Sequence, residues 1–240
     1  MKKIYFSLFV FIFCQSLTAQ EIWLEAGLKG GAGMSFLLNK NIQDDKSYDY
    51  VLTPMYGIGG KFAVNFGPNH GISLEALYNQ AGQDFDYKLP GTTGDLANEI
   101  TWKNIDAYLL YRYFSNRVYV EIGPMYSLVQ SVGQVDNETA VSAANNAYES
   151  SYLSGVFGFG GLIAGADTFS VGLGARLSYG FSDFVNEKGR GLNFPNFVPY
   201  GTYEKTHPVY AQILLELNFG LGHFAKTGCG QRMKFFGNRR

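Results

Sequence analysis

From Phe169 to Ser182 the chain alternates without a break. Phe169, Val171, Leu173, Ala175, Leu177, Tyr179 and Phe181 fall on one face of an extended strand, and Ser170, Gly172, Gly174, Arg176, Ser178 and Gly180 on the other. The same period recurs along the chain. Its apolar faces run Leu24–Phe36, Tyr56–Phe66, Ile72–Tyr78, Ile105–Tyr113, Val118–Leu128, less cleanly Leu153–Ile163, and, after the 169–182 stretch, Val209–Phe219. This pattern predicts eight strands. Short turns follow the second, fourth and sixth: GPNHG at 67–71, SNR at 115–117 and GADT at 165–168. Long polar loops follow the first, third, fifth and seventh, at roughly 38–53, 83–100, 130–150 and 182–206. No helical period is strong enough to place a helix, apart from a turn or two around TAVSAANNAYES in the third loop.

Which face looks outward decides the fold class. A soluble, lipocalin-like barrel would bury the aromatic face and leave Gly172, Gly174 and Gly180 in water, where glycine costs entropy and packs nothing. A membrane barrel turns the large apolar face to lipid and fits small residues into a crowded lumen. Thirteen residues at about 3.3 Å, tilted by about 40°, rise roughly 30 Å, enough for the apolar band. Tyr78, Tyr126, Tyr179 and Phe181 near the loops, with Phe66, Tyr113, Phe169 and Phe219 near the turns, then form two aromatic girdles. Composition agrees, since only 16% of residues are charged, against roughly a quarter in a typical soluble domain. The expected fold is all-β: an eight-stranded antiparallel transmembrane barrel with short periplasmic turns and long extracellular loops.

The ends of the chain refine the picture. Lys2 and Lys3 followed by apolar Ile4–Phe13 read as a secretory signal cleaved after Ala19. The expected organisation is a signal peptide over 1–19, the barrel over 20–222 and a basic, disordered periplasmic tail over 223–240, with Lys226, Arg232, Lys234, Arg239 and Arg240. Cys14 leaves with the signal, so Cys229 has no intramolecular disulfide partner. The net charge of −1 gives no argument for nucleic-acid binding.

The inward faces carry Glu25, Lys29, Lys61, Glu75, Asp106 with Arg112, Glu121, Arg176 and Glu216. Folding the second and third segments about Pro68 sets Lys61 opposite Glu75, each seven residues away. Folding the next hairpin about Asn116 and Arg117 sets Arg112 opposite Glu121 in the same way. Both pairs are expected to be cross-strand ion pairs, joined by Arg176 and Glu216 in a structural network that fills the lumen. A polar pore or proton path is the competing reading, and near balance of acids and bases favours pairing. The loops are acidic: Asp44, Asp45 and Asp49; Asp84, Asp86, Asp95 and Glu99; Asp136, Glu138 and Glu149. A solvated surface is expected of them in preference to a divalent-cation site. No His/Cys cluster has metal-ligand spacing, and the glycine runs KGGAG and GFGGLIAG lack the strand-to-helix turn that a dinucleotide needs. Catalytic, cofactor and metal sites are therefore expected to be absent. His207 lies at the loop end without a serine fixed beside it on the same strand, which reads as a rim histidine.

The stretch NIDAYLLYRYFSNRVYVEIGPMYSLV, residues 104–129, resembles the fourth and fifth strands of the small outer-membrane β-barrel domain proteins common in Bacteroidota, which are eight-stranded and opacity-protein-like. The signal ending TAQ and the Gly123-Pro124 pair are similar as well. The resemblance spans about residues 22–222 and implies outer-membrane location, both termini in the periplasm, surface loops and no shared catalytic residues. Such barrels often end on a terminal aromatic, here similar to Phe219, which the assembly machinery recognises, whereas this chain continues past it. The expected partners are outer-membrane lipid and, during insertion, the barrel-assembly machinery; the expected state is a monomer. The expected role is non-enzymatic, in envelope integrity or interaction through the loops. The alternatives are passive uptake of small hydrophobic solutes, for which Leu77, Leu110, Leu162 and Leu214 face inward, and a lipid-modifying barrel enzyme using His207.

Overall fold

A computed structural model describes residues 22–88, 94, 96–166, 168–227 and 230–235, with side chains as far as Gly222. The expected signal segment, both cysteines, Asp95 and the last five residues lie outside it. Eight long strands carry the fold: β1 (Ile22–Asn39), β3 (Thr53–Phe66), β4 (His70–Tyr87), β5 (Leu96–Ser115), β6 (Val118–Asp136), β8 (Ser151–Ala166), β9 (Phe169–Gly180) and β10 (Thr206–Thr227). Each pairs antiparallel with the next, and β1 pairs with β10 from Ile22–Phe224 to Asn39–Thr206, closing the ring. Closure leaves every strand in the ring with two partners, which is what lets a sheet stand in lipid. Short strands β2 (Tyr48–Val51) and β7 (Thr139–Ala140) add to β4 and β6 beyond the ring, and single helical turns lie in three connections: α1 (Lys40–Asp44), α2 (Ala144–Ala147) and α3 (Glu187–Gly191).

The faces sort as the alternation requires. On β9, Leu173, Leu177 and Tyr179 point outward and stay exposed, while Gly172, Gly174, Arg176, Ser178 and Gly180 are buried. The outward belt continues through Ile58, Leu74, Leu109, Ile122, Phe157 and Ile213. The irregular sixth segment has a physical reason: β8 shifts register against β9 between Leu162 and Ala164, so Ile163 is bulged. Small lumen residues make room for large ones. A Cβ on Gly160 or Gly174 would come within 2.6–2.7 Å of the Tyr119 ring or hydroxyl, and one on Gly158 within 2.8 Å of a Glu121 oxygen. Gly123 serves the backbone instead. Pro124 has no N–H to donate, the β5–β6 ladder skips Leu109 and Leu110, and a Cβ at 123 would lie 2.1 Å from the Leu109 carbonyl oxygen.

Two expectations are corrected. The second long loop, expected over 83–100, is largely strand: β4 runs to Tyr87 and β5 starts at Leu96. Beyond the lipid belt these strands keep their parity but exchange polarity. Phe85, Ile100 and Trp102 face inward and are buried, while Asp86, Glu99 and Lys103 face outward. Water replaces lipid on the outside, so the outer face turns polar and the core moves to the barrel mouth. The second correction is the tail. The last strand passes Phe219 to Thr227, and β11 (Gly230–Phe235) pairs back on it, Gly222 against Phe235, where a disordered end was expected.

Candidate functional site

Midway up the lumen every ring strand except β8 delivers a charge. Lys29 Nζ lies 2.8 Å from both Glu75 oxygens and 2.7 Å from Glu216 Oε1. The Arg112 guanidinium donates to both Glu216 oxygens at 2.7 and 3.0 Å and reaches Glu121 at 2.7 Å and Glu75 at 3.2 Å. Arg176 spans Glu121 (Nε, 2.7 Å) and Glu75 (Nη2, 2.9 Å). Lys61 joins Glu216 at 3.0 Å to Glu25 at 2.8 Å, nearer the turn end. Four carboxylates thus meet four cations, and all but Glu25 are buried. Tyr119 donates to Glu216 at 3.1 Å with its ring 4.5 Å from the Arg112 carbon, and the Tyr108 ring lies 4.7 Å from that of Arg176.

The register sets Lys61 opposite Glu75 and Arg112 opposite Glu121. Arg112 and Glu121 touch, but Lys61 turns to Glu216 and Glu25 while Glu75 is held by Lys29, Arg112 and Arg176. The physical reason is the narrow lumen. Side chains converge on its axis, so a partner from a distant strand is as near as the one directly across the ladder. Asp106 also departs from expectation. It lies apart from Arg112 and accepts from the side-chain amides of Asn79 and Asn104. Glu75, Glu121 and Glu216 bring oxygens within 4.8 Å of one another, a spacing that suits a cation. Lysine and arginine already occupy that role.

Above the cluster the lumen stays filled. Trp102 Nε1 donates to Tyr210 Oη at 2.8 Å, Tyr152 and Tyr210 share a hydroxyl contact, and Leu77, Leu110 and Leu214 pack around them. The connection between β9 and β10, residues 181–205, folds into the mouth and buries Phe184, Val185 and Phe194 against Trp102, Tyr148 and Tyr152. Asn98 and Gln134 donate to the Pro195 carbonyl at 2.9 and 2.6 Å, and Tyr148 donates to Gln134 at 2.8 Å. Tyr200 donates to Asp45 at 3.1 Å and Tyr203 to Asp183 at 2.6 Å. Burial, with these carboxylate acceptors, pushes both phenols well above their usual range, so they stay protonated donors. Below the cluster, a vestibule of about 650 Å³ lined by Trp23, Glu25, Arg117 and Asn218 opens at the turn end. A separate space of about 60 Å³ lies under Lys61 and Glu216. His207, at the loop end, places Nδ1 2.8 Å from the Gly180 carbonyl and stacks on Tyr179. Sequence reasoning missed Tyr108 and Tyr119, although inward parity was their signal, and it missed the amide clamps on Pro195.

Residues 15–186 match the family model described as outer membrane protein beta-barrel domain. No curated protein matches the chain. Among solved structures it is similar to OprG from Pseudomonas aeruginosa, at 14% identity and a TM-score of 0.40 over 84% of this chain and 96% of that one. It is similar also to Neisserial surface protein A (10%, 0.36, over 82% and 96%) and to Ail, the attachment invasion locus protein of Yersinia pestis (11%, 0.37, over 81% and 98%).

Proposed function

Since the chain belongs to the outer membrane protein beta-barrel domain family, and so is a protein of the bacterial outer membrane, we propose that it is a closed, non-enzymatic barrel acting through extracellular loops. Its role on this reading is envelope integrity or contact with an outside partner. The observation that carries the proposal is the continuous filling of the lumen: the ion cluster at mid-height, the tyrosine layer above it and the loop cap in the mouth. The six charges Lys61, Glu75, Arg112, Glu121, Arg176 and Glu216 are then structural, since breaking any pair strands a charge in low dielectric. Termini and turns face the periplasm, and the protein works as a monomer after insertion by the barrel-assembly machinery.

The hydrophobic-uptake alternative draws little support from its leucines, because Leu77, Leu110 and Leu214 are packed in the mouth core. The enzyme alternative needs a nucleophile at His207, whose Nδ1 is directed at the Gly180 carbonyl. Two measurements test the proposal. In planar bilayers the reconstituted barrel should show no steady conductance. Cysteines placed at Asn146 and Glu187 should react with an impermeant label on intact cells, and one at Asn116 only after the envelope is opened. Open-channel current, or labelling at Asn116 alone, would overturn it.

A further inference from the structure

We infer that the cleft between the start of the first extracellular connection and the end of the last one binds a neutral saccharide. This deepens the loop-based proposal and rests on its placing the loops outside the cell. The cleft encloses about 330 Å³, at the small end of the roughly 300–1,000 Å³ typical of ligand sites. Four asparagines (Asn39, Asn41, Asn193, Asn196) share its lining with Phe194, Tyr200 and Tyr203, Arg190, Glu204 and a single aliphatic residue.

Each feature narrows the ligand class. A sugar hydroxyl is donor and acceptor at once, and one amide side chain answers both roles. Aromatic rings offer an apolar face to the C–H side of a pyranose while their hydroxyls stay polar. Arg190 is already paired with Asp183 and Glu204 adds a negative charge, so a sulfated or phosphorylated glycan lacks the surplus of cations that recognises such groups. An apolar solute would strip water from the Asn41 and Asn193 amides and the Glu204 carboxylate without replacing their hydrogen bonds.

The walls are built before any ligand arrives. Asn39 donates to the Glu204 carbonyl at 3.0 Å and Asn41 to the Thr202 carbonyl at 2.7 Å, tying the two connections together. Asn196 donates to Tyr200 at 2.8 Å, and Arg190 reaches Asp183 at 3.0 Å with its guanidinium 5.1 Å from the Tyr203 ring. Ordering costs on binding are correspondingly small. Binding capacity is left over: among the described residues the Asn193 amide, the Glu204 carboxylate and the amide oxygens of Asn41 and Asn196 carry no hydrogen bond.

The full chain, folded in detergent, should be screened against neutral gluco-, manno- and galacto-oligosaccharides and against heparin-derived sulfated ones, with affinities read by calorimetry. At least one neutral series should bind. Asn193→Ala and Glu204→Gln should each weaken it by about tenfold, the loss of roughly one hydrogen bond, with the heat-dependent gel shift of the folded barrel unchanged. Binding of no oligosaccharide, equal or tighter binding of the sulfated set, or binding indifferent to both substitutions would overturn the inference. None of those results touches the loop-based proposal. That proposal fails separately, if a cysteine at Asn193 cannot be labelled on intact cells or the barrel conducts.

Discussion

Glu216 shows how much a single side chain holds in this lumen. Its carboxylate takes Lys29, Lys61, Arg112 and Tyr119. Glu216→Gln should therefore destabilise the barrel by about 3–5 kcal/mol, because it leaves buried cations without their counter-charge. Unfolding in lipid vesicles measures this. Double-mutant cycles separate contact from register. The coupling of Arg112 with Glu121 should fall in the range of roughly 0.5–3 kcal/mol seen for touching groups. Lys61 should couple more strongly to Glu216 than to Glu75, although Glu75 is its ladder partner. The reverse order would mean that the ladder, not the lumen axis, selects the pairs. The residue types of the cluster were legible in the sequence, since inward parity picks out each charge. Their pairing was not, because parity reports which face a residue takes and is silent about which strand lies across the lumen.

At the scale of the element, β9 separates the two environments within adjacent residues. Leu177 is 57% exposed toward the belt and Ser178 only 5% exposed toward the lumen. Leu177→Arg should cost about 2–4 kcal/mol, the penalty for a cation near the bilayer midplane. Ser178→Arg should act instead by crowding Tyr210, its ladder partner. Unfolding midpoints of both variants in thin and thick lipids distinguish them: the Leu177 penalty should grow with bilayer thickness and the Ser178 penalty should not. Equal response to thickness would refute the assignment of faces. The eight ring strands were readable because lipid demands an apolar outer stripe along each. The same rule hid the upper part of β4 and β5. There Phe85, Ile100 and Trp102 turn inward and Asp84, Asp86 and Glu99 outward, a soluble-sheet pattern that the lipid-facing template reads as loop. The loop cap was illegible for another reason: it is held by amide-to-carbonyl bonds such as Gln134 to Pro195, which leave no periodic mark.

For the whole molecule, the decisive fact is where the ring closes. The meeting of β1 and β10 sets Lys29 and Glu216 directly opposite each other across the seam, 2.7 Å apart. Until that seam forms, Lys29 keeps only Glu75, Lys61 only Glu25, and Arg112 only Glu75 and Glu121. Docking β10 delivers the hub carboxylate to Lys29, Lys61 and Arg112 in one event, so the wall and its electrostatic filling are completed together. The seam should therefore act as a latch, its closure coupled to completion of the ion cluster. Glu216→Gln should accordingly slow the final, heat-resistant compaction on gels more than early membrane association, and Lys29→Met should do the same. If either variant slowed association alone, the latch would not set the order of assembly. A chain that inserted with β10 out of register by one residue would send Glu216 into lipid and leave three cations facing an empty place, so the charge set also proofreads closure.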